Sequence, residues 1–324
     1  MKKFLLTLLI ANCSLLLVHG QAARTTPSQF IFNALPINPA YAGSQFVSSL
    51  DMSYFGNGEE FAFLYRSVDG SLHGPMDFEG RKNLGLQFSF VHEGDVDEIQ
   101  FQPSFAYRID TDLGKIAFGV NLGFNFFSVD NAVSTILYEP FFTIDGGLGI
   151  YFHNDKLFAG ISTLNIFEKL LKDERKIAGL FLKRENPYYL YTGFMQQLTD
   201  RFSLRPNLLL KFADGYELAD DIQESISQEF AYDISASLII EQNYWVTLFF
   251  GSSYYEEIDS FANPNTLQIN RFGLSLHFLV GQLRLKYGIH RSTNPELGTE
   301  YPVSHLFGIG YDFGVDTNNF YRYF

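Results

Sequence analysis

Residues 116–126 read IAFGVNLGFNF, and this stretch decides the fold class. Ile116, Phe118, Val120, Leu122, Phe124 and Phe126 fall on one face of an extended chain, with Ala117, Gly119, Asn121, Gly123 and Asn125 on the other. A period of two held over five repeats marks a β-strand. The second face is small and polar rather than charged, unlike the solvated face of an ordinary sheet. Small side chains suit a crowded barrel interior, and glycine relieves strand curvature. The stretch reads as one stave of a membrane β-barrel.

Working outward, Leu84, Leu86, Phe88 and Phe90 oppose Gly85, Gln87 and Ser89. Ile99, Phe101, Phe105, Tyr107 and Ile109 oppose Gln100, Gln102, Ser104 and Arg108. Segments 142–153, 156–165, 187–198, 202–212, 229–240 and 244–255 continue the pattern, followed by 272–278, 283–290 and 307–315. Upstream, 46–55 and 60–67 are strand-like around Gly56-Asn57-Gly58, and 73–80 leads into the turn Gly80–Asn83. Pro103 and Pro206 fall within strands, where each costs a ladder hydrogen bond unless it marks a bulge.

Connections supply a second argument. Tight turns near Gly80–Asn83, Asp110–Gly114, Asn154-Asp155, Thr199–Arg201, Glu241–Asn243 and Val280–Gln282 alternate with links that are mostly longer: 130–141, 166–184, 213–228, 256–265 and 292–302, with 93–97 short. Short periplasmic turns and longer external loops are the habit of outer-membrane barrels. Counting from 60–67 gives an all-β, transmembrane, antiparallel up-and-down barrel of about 14 strands. Segment 46–55 is left over, either extending the first strand through a bulge or joining an N-terminal plug. Residues 166–178 read as a short amphipathic helix in the longest loop.

Composition agrees. The chain of 324 residues holds 35 Phe and 19 Tyr against one Trp, with only 18% charged residues. Aromatics favour pleated surfaces and gather at membrane interfaces. A mean hydropathy of −0.01 fits a barrel, whose strands show lipid only every second residue. A net charge of −13 argues against nucleic acid, which needs basic clusters. Residues 1–20 read as a secretory signal: Lys2 and Lys3, an apolar run from Phe4 to Val18, then small residues, with cleavage expected between 20 and 23. Cys13 lies inside that run, so the mature chain is expected to carry no thiol chemistry. Beyond the signal, no apolar run reaches the roughly 18 residues of a spanning helix.

Catalytic and metal chemistry find no foothold. His73, His92, His153 and His277 lack ligand spacing, no serine sits in a GxSxG context, and the acidic loops do not match a calcium loop. No enzyme activity, cofactor or metal is expected. His277, His290, Arg284, Lys286, Arg271 and Asp312 are placed on lumen-facing positions, where interior ion pairs explain them as well as a ligand does.

Residues 29–44 read QFIFNALPINPAYAGS. Leu35-Pro36 and Asn38-Pro39 push the chain out of the helical region, so the segment is extended with turns. Phe30, Phe32, Leu35, Ile37 and Tyr41 make it too apolar for a solvated tail. Gln29, Asn33 and then Asn38-Pro39-Ala40-Tyr41-Ala42-Gly43 resemble the N-terminal signature of the PorP/SprF family. Tyr65-Arg66 followed by Gly74-Pro75 resembles that family's first hairpin, although Ser67-Val68 replaces the Gln-Trp that often follows the arginine. Asn83–Leu86, Phe105–Arg108, Gly114–Gly119, Gly147–Tyr151 and Phe158–Ser162 resemble its next strands in order.

The resemblance implies a non-enzymatic barrel of the cell outer membrane, working with the type IX secretion machinery and, in some members, gliding motility. It implies export or surface anchoring of a large secreted adhesin whose C-terminal domain docks on the external loops or in the lumen. Residues 21–45 would plug the barrel (46–324) from below, contact periplasmic ring components, or cover the apolar lower rim. Surrounding outer-membrane lipid is the other expected partner. The rival readings are a porin or hydrophobic-substrate transporter and a purely structural barrel.

Overall fold

A computed structural model describes residues 30–57, 65–93, 96–129, 140–167, 186–214, 225–258, 264–294, 299–300 and 303–314. Fourteen strands form the wall. These are β1 Ser48–Asn57, β2 Tyr65–Pro75, β3 Lys82–Glu93, β4 Val96–Thr111, β5 Gly114–Val129, β6 Phe141–His153 and β7 Leu157–Thr163. Then follow β8 Pro187–Phe194, β9 Phe202–Asp214, β10 Ser225–Ile240, β11 Tyr244–Ile258, β12 Pro264–Val280, β13 Leu283–Asn294 and β14 Ser304–Phe313. Two-residue pairings at Gln196–Gln197 and Thr299–Glu300 fringe the wall.

Each strand pairs antiparallel with its sequence neighbour, and β14 closes on β1 from Ser48↔Phe313 to Asn57↔Ser304. The closed ring satisfies the backbone groups of every stave without a lipid-exposed edge, the condition for crossing a bilayer in strands. Alternation sorts the side chains as expected. Phe118 and Val120 are each 48% exposed, whereas Ala117 and Asn125 on the opposite face are fully buried. The barrel is apolar outside and polar within.

The count of about 14 holds, but its first members differ from the sequence reading. Segments 60–67 and 73–80 are not two strands: Tyr65–Pro75 is a single one. The stretch between them, Val68-Asp69-Gly70-Ser71, looks like a turn but continues the stave. Asp69 accepts hydrogen bonds from Ser67 Oγ (2.9 Å) and Ser89 Oγ (2.7 Å), and the Phe88 ring covers Gly70. The leftover 46–55 supplies the missing strand, β1.

Pro103 and Pro206 mark interruptions without a register shift. The β4–β5 ladder skips from Phe101↔Phe124 to Ser104↔Asn121. The pairing of β9 skips from Asn207↔Gly193 to Leu204↔Gln196. Each proline therefore sits where no ladder bond is required on one side. Of the amphipathic stretch 166–178, only Ile166-Phe167 falls within the described residues, and these two are helical.

Candidate functional site

The short turns between strands gather at one end of the barrel, and Phe30–Gln45 lies against the wall there. Its path is set locally. Asn33 Oδ1 accepts from Leu35 N (3.0 Å), and Ala34 O accepts from Ile37 N (3.1 Å) and Asn38 N (2.9 Å). Asn38 then caps a 3₁₀ turn, Pro39–Tyr41: its Oδ1 accepts from Ala40 N at 2.9 Å, and Pro39 at the first position needs no partner for a missing N–H. Gly43 has φ +69°, a conformation that a Cβ would strain.

Wall side chains satisfy the segment's main chain. Arg108 donates from Nη1 to Gly43 O (2.9 Å) and from Nη2 to Ala42 O (3.2 Å). Gly43 N donates to His73 Nδ1 (3.2 Å), and Ser162 Oγ donates to Ile37 O (2.5 Å). In return, Asn38 Nδ2 donates to Ile150 O (3.0 Å) and Ile161 O (3.4 Å), and Asn33 Nδ2 to Ser71 Oγ (2.5 Å). The turn rests on glycines. Gly119 on β5 and Gly149 on β6 are ladder partners, and their missing side chains make the space that Asn38–Ala40 fills.

Apolar packing completes the seat. Tyr41 is buried with its ring 5.5 Å from both His73 and Tyr151, and burial raises its phenol above the ordinary pKa. Phe32 meets His277 edge-on at 4.8 Å and lies 6.1 Å from Trp245. Phe46, where the segment passes into β1, adopts φ +60° with Lys115 Nζ 4.2 Å and Arg108 Cζ 5.0 Å from its ring centre.

A charged cluster adjoins this seat at the closing seam. Arg284 on β13 reaches Asp51 on β1 (2.5 Å) and Asp312 on β14 (3.3 Å), and donates to Ser49 Oγ and to Gln45 Oε1 (3.2 Å). Lys286 also pairs with Asp51. Gly310 lies between, paired in the ladder with both Asp51 and Arg284, so the two charges meet over a residue without a side chain. Gly251 stands the same way between Asp233 and Arg271, which are 3.4 Å apart. These buried groups are mutually paired, as the low-dielectric interior demands.

Thus Asn33, Asn38, Pro39, Ala40, Tyr41 and Gly43 converge on one place, while Gln29 lies outside the described residues. Arg66, Gly74 and Pro75 do not converge. Arg66 is exposed near the long-loop end of β2 and pairs with Gly56, whereas Gly74-Pro75 closes the other end beside Ser48. Eight to nine residues of strand put them about 25–30 Å apart. Arg108, His73, Ser162, Gly119 and Gly149 were not singled out as site residues. Arg108 carried a signal, being the one cation in β4 and on its inward face.

A sequence model described as "Type IX secretion system membrane protein PorP/SprF" matches residues 20–322. The chain belongs to this family. Curated protein sequences offer no match. Among solved structures, the CymD monoaromatic hydrocarbon channel is similar at 12% identity and TM-score 0.56, covering 87% of this chain and 93% of that one. An outer-membrane channel of Pseudomonas putida F1 aligns at 10% identity and TM-score 0.48, covering 84% and 98%. At such identity the likeness to CymD speaks for the barrel fold alone. Membership in PorP/SprF, with this barrel, places the protein in the outer membrane, in association with the type IX secretion machinery.

Proposed function

We propose that this PorP/SprF barrel is a non-enzymatic anchor that assists export or surface display of a large adhesin-like protein by docking that partner's C-terminal domain. Its N-terminal segment, after removal of a signal at residues 1–20, acts as a plug at the periplasmic mouth and as the face presented to ring components of the machinery. The observation that carries this reading is the seating of Asn38–Gly43. Arg108 and His73 bind its main chain, Ser162 binds that of the adjoining Ile37, and Gly119 with Gly149 leaves the turn room. A passive porin has no need of a segment anchored in this way. In a membrane protein of this family, a lumen closed by its own chain favours holding a partner over passing solutes.

The test is recovery of the tagged protein from detergent-solubilised outer membrane, with identification of what accompanies it. A large adhesin or its C-terminal domain is expected, and should be lost when Asn38-Pro39 is altered. A barrel recovered alone that conducts ions in a planar bilayer overturns the reading in favour of a porin.

A further inference from the structure

Two water-sized cavities, of about 20 and 30 Å³, flank the N-terminal segment. Each has room for one or two water molecules. The first lies at the short-turn end, between Phe30, Arg205, Trp245, His277 and Arg284. The second lies deeper, between Asn33, Asp51, Asp69, Gln87 and Lys286. Phe32 is the one residue that lines both. Its ring is held by the edge of His277, by Trp245 and by Lys286, whose Nζ stands 5.4 Å from its centre. One rotatable side chain therefore divides the two cavities, each of which carries charged groups on its wall.

We infer that Phe32 is the gate of a latent polar conduit for small inorganic ions. The conduit runs from the short-turn mouth past His277 and Arg284 to the Asp51–Lys286 level. This inference rests on the reading of the segment as a plug. The anchoring of that segment is uneven. Asn38–Gly43 is tied to the wall through Arg108, Asn38 and His73, whereas Phe30–Phe32 is held by ring contacts and apolar burial. Apolar burial is non-directional and a phenylalanine side chain has alternative rotamer minima, so the Phe32 side can move while the Asn38–Gly43 side stays seated.

The test is single-channel recording in potassium chloride across planar bilayers containing the purified full barrel. The parent should stay closed; Phe32→Ala should give discrete openings, and Phe32→Leu openings at least several-fold smaller. Phe30→Ala, which alters only the first cavity, should stay closed. A variant lacking residues 30–45 serves as the open reference. If that deletion conducts while Phe32→Ala stays closed, the gate is overturned and the plug stands. If neither conducts, both are overturned. Equal conductance in Phe30→Ala and Phe32→Ala overturns the gate in favour of general loosening.

Discussion

Gly119 and Gly149 face each other across the β5–β6 ladder, and a Cβ on either collides with the turn seated between them. At Gly119 it would lie 2.2 Å from Ala40 N, and at Gly149 1.9 Å from Asn38 Oδ1. The first clash is with backbone, which cannot rotate away. Gly119→Ala is therefore expected to displace the turn at a cost of about 1–3 kcal/mol, a usual size for overpacking. Limited proteolysis of the segment should accelerate. Gly123→Ala, whose nearest neighbour stands 3.8 Å away, should leave proteolysis unchanged and serves as the control.

Asn38 acts as both cap and tether, and two substitutions separate its polarity from its shape. Asn38→Ala removes the cap, worth about 1 kcal/mol, together with the donors to Ile150 O and Ile161 O. Asn38→Asp keeps the cap acceptor but turns a carboxylate toward two carbonyls at a fully buried position, costing about 3–5 kcal/mol. Burial favours the neutral acid, so acidification should restore protection in the aspartate variant and leave the alanine variant unaffected. Hydrogen exchange of the segment against pH measures both.

Arg108 reads two consecutive carbonyls with one planar group, and lysine offers a point charge without that fork. Arg108→Lys should lose most of one charge-assisted bond, about 1.5–3 kcal/mol. Arg108→Ala should lose more, through the Ala42 and Gly43 carbonyls and the Phe46 ring together. The order parent, lysine, alanine is expected in the temperature at which the segment becomes cleavable.

Asp51 holds Arg284 and Lys286 at the seam between β13, β14 and β1. Asp51→Asn leaves a surplus of buried positive charge, at a cost of about 3–5 kcal/mol. Asp51→Asn combined with Lys286→Met should cost less than Asp51→Asn alone, because the surplus is removed. The temperature at which the barrel loses its compact mobility in detergent gels gives the ranking. A double variant weaker than the single would contradict the pairing.

How much of this was legible in the chain can be traced residue by residue. The alternation of Ile116 to Phe126 named the fold, and the parity of short and long links gave an even strand number. Val68–Ser71 falls in the gap between the strand-like segments 60–67 and 73–80, since Asp, Gly and Ser in series are poor strand formers in water. In a barrel, Asp69 faces a polar lumen and Gly70 is shielded by Phe88, so the same residues continue the strand. Asn33 and Asn38–Gly43 stood out as a turn-rich apolar segment. Their receptors did not, because Gly119 and Gly149 look like any small inward residues along their own strands.

The sequence by itself determined a barrel of about 14 strands, apolar outward, preceded by a segment too apolar for water. Alternation, turn chemistry and burial preference are local properties, written within ten or so residues. Only the tertiary structure decided that 48–57 is the first stave, that Arg108 meets Gly43, and that Asp51 meets Arg284 above Gly310. Those contacts join positions 65 to 233 residues apart. They depend on ring closure and on the register between neighbouring strands, neither of which a single strand encodes.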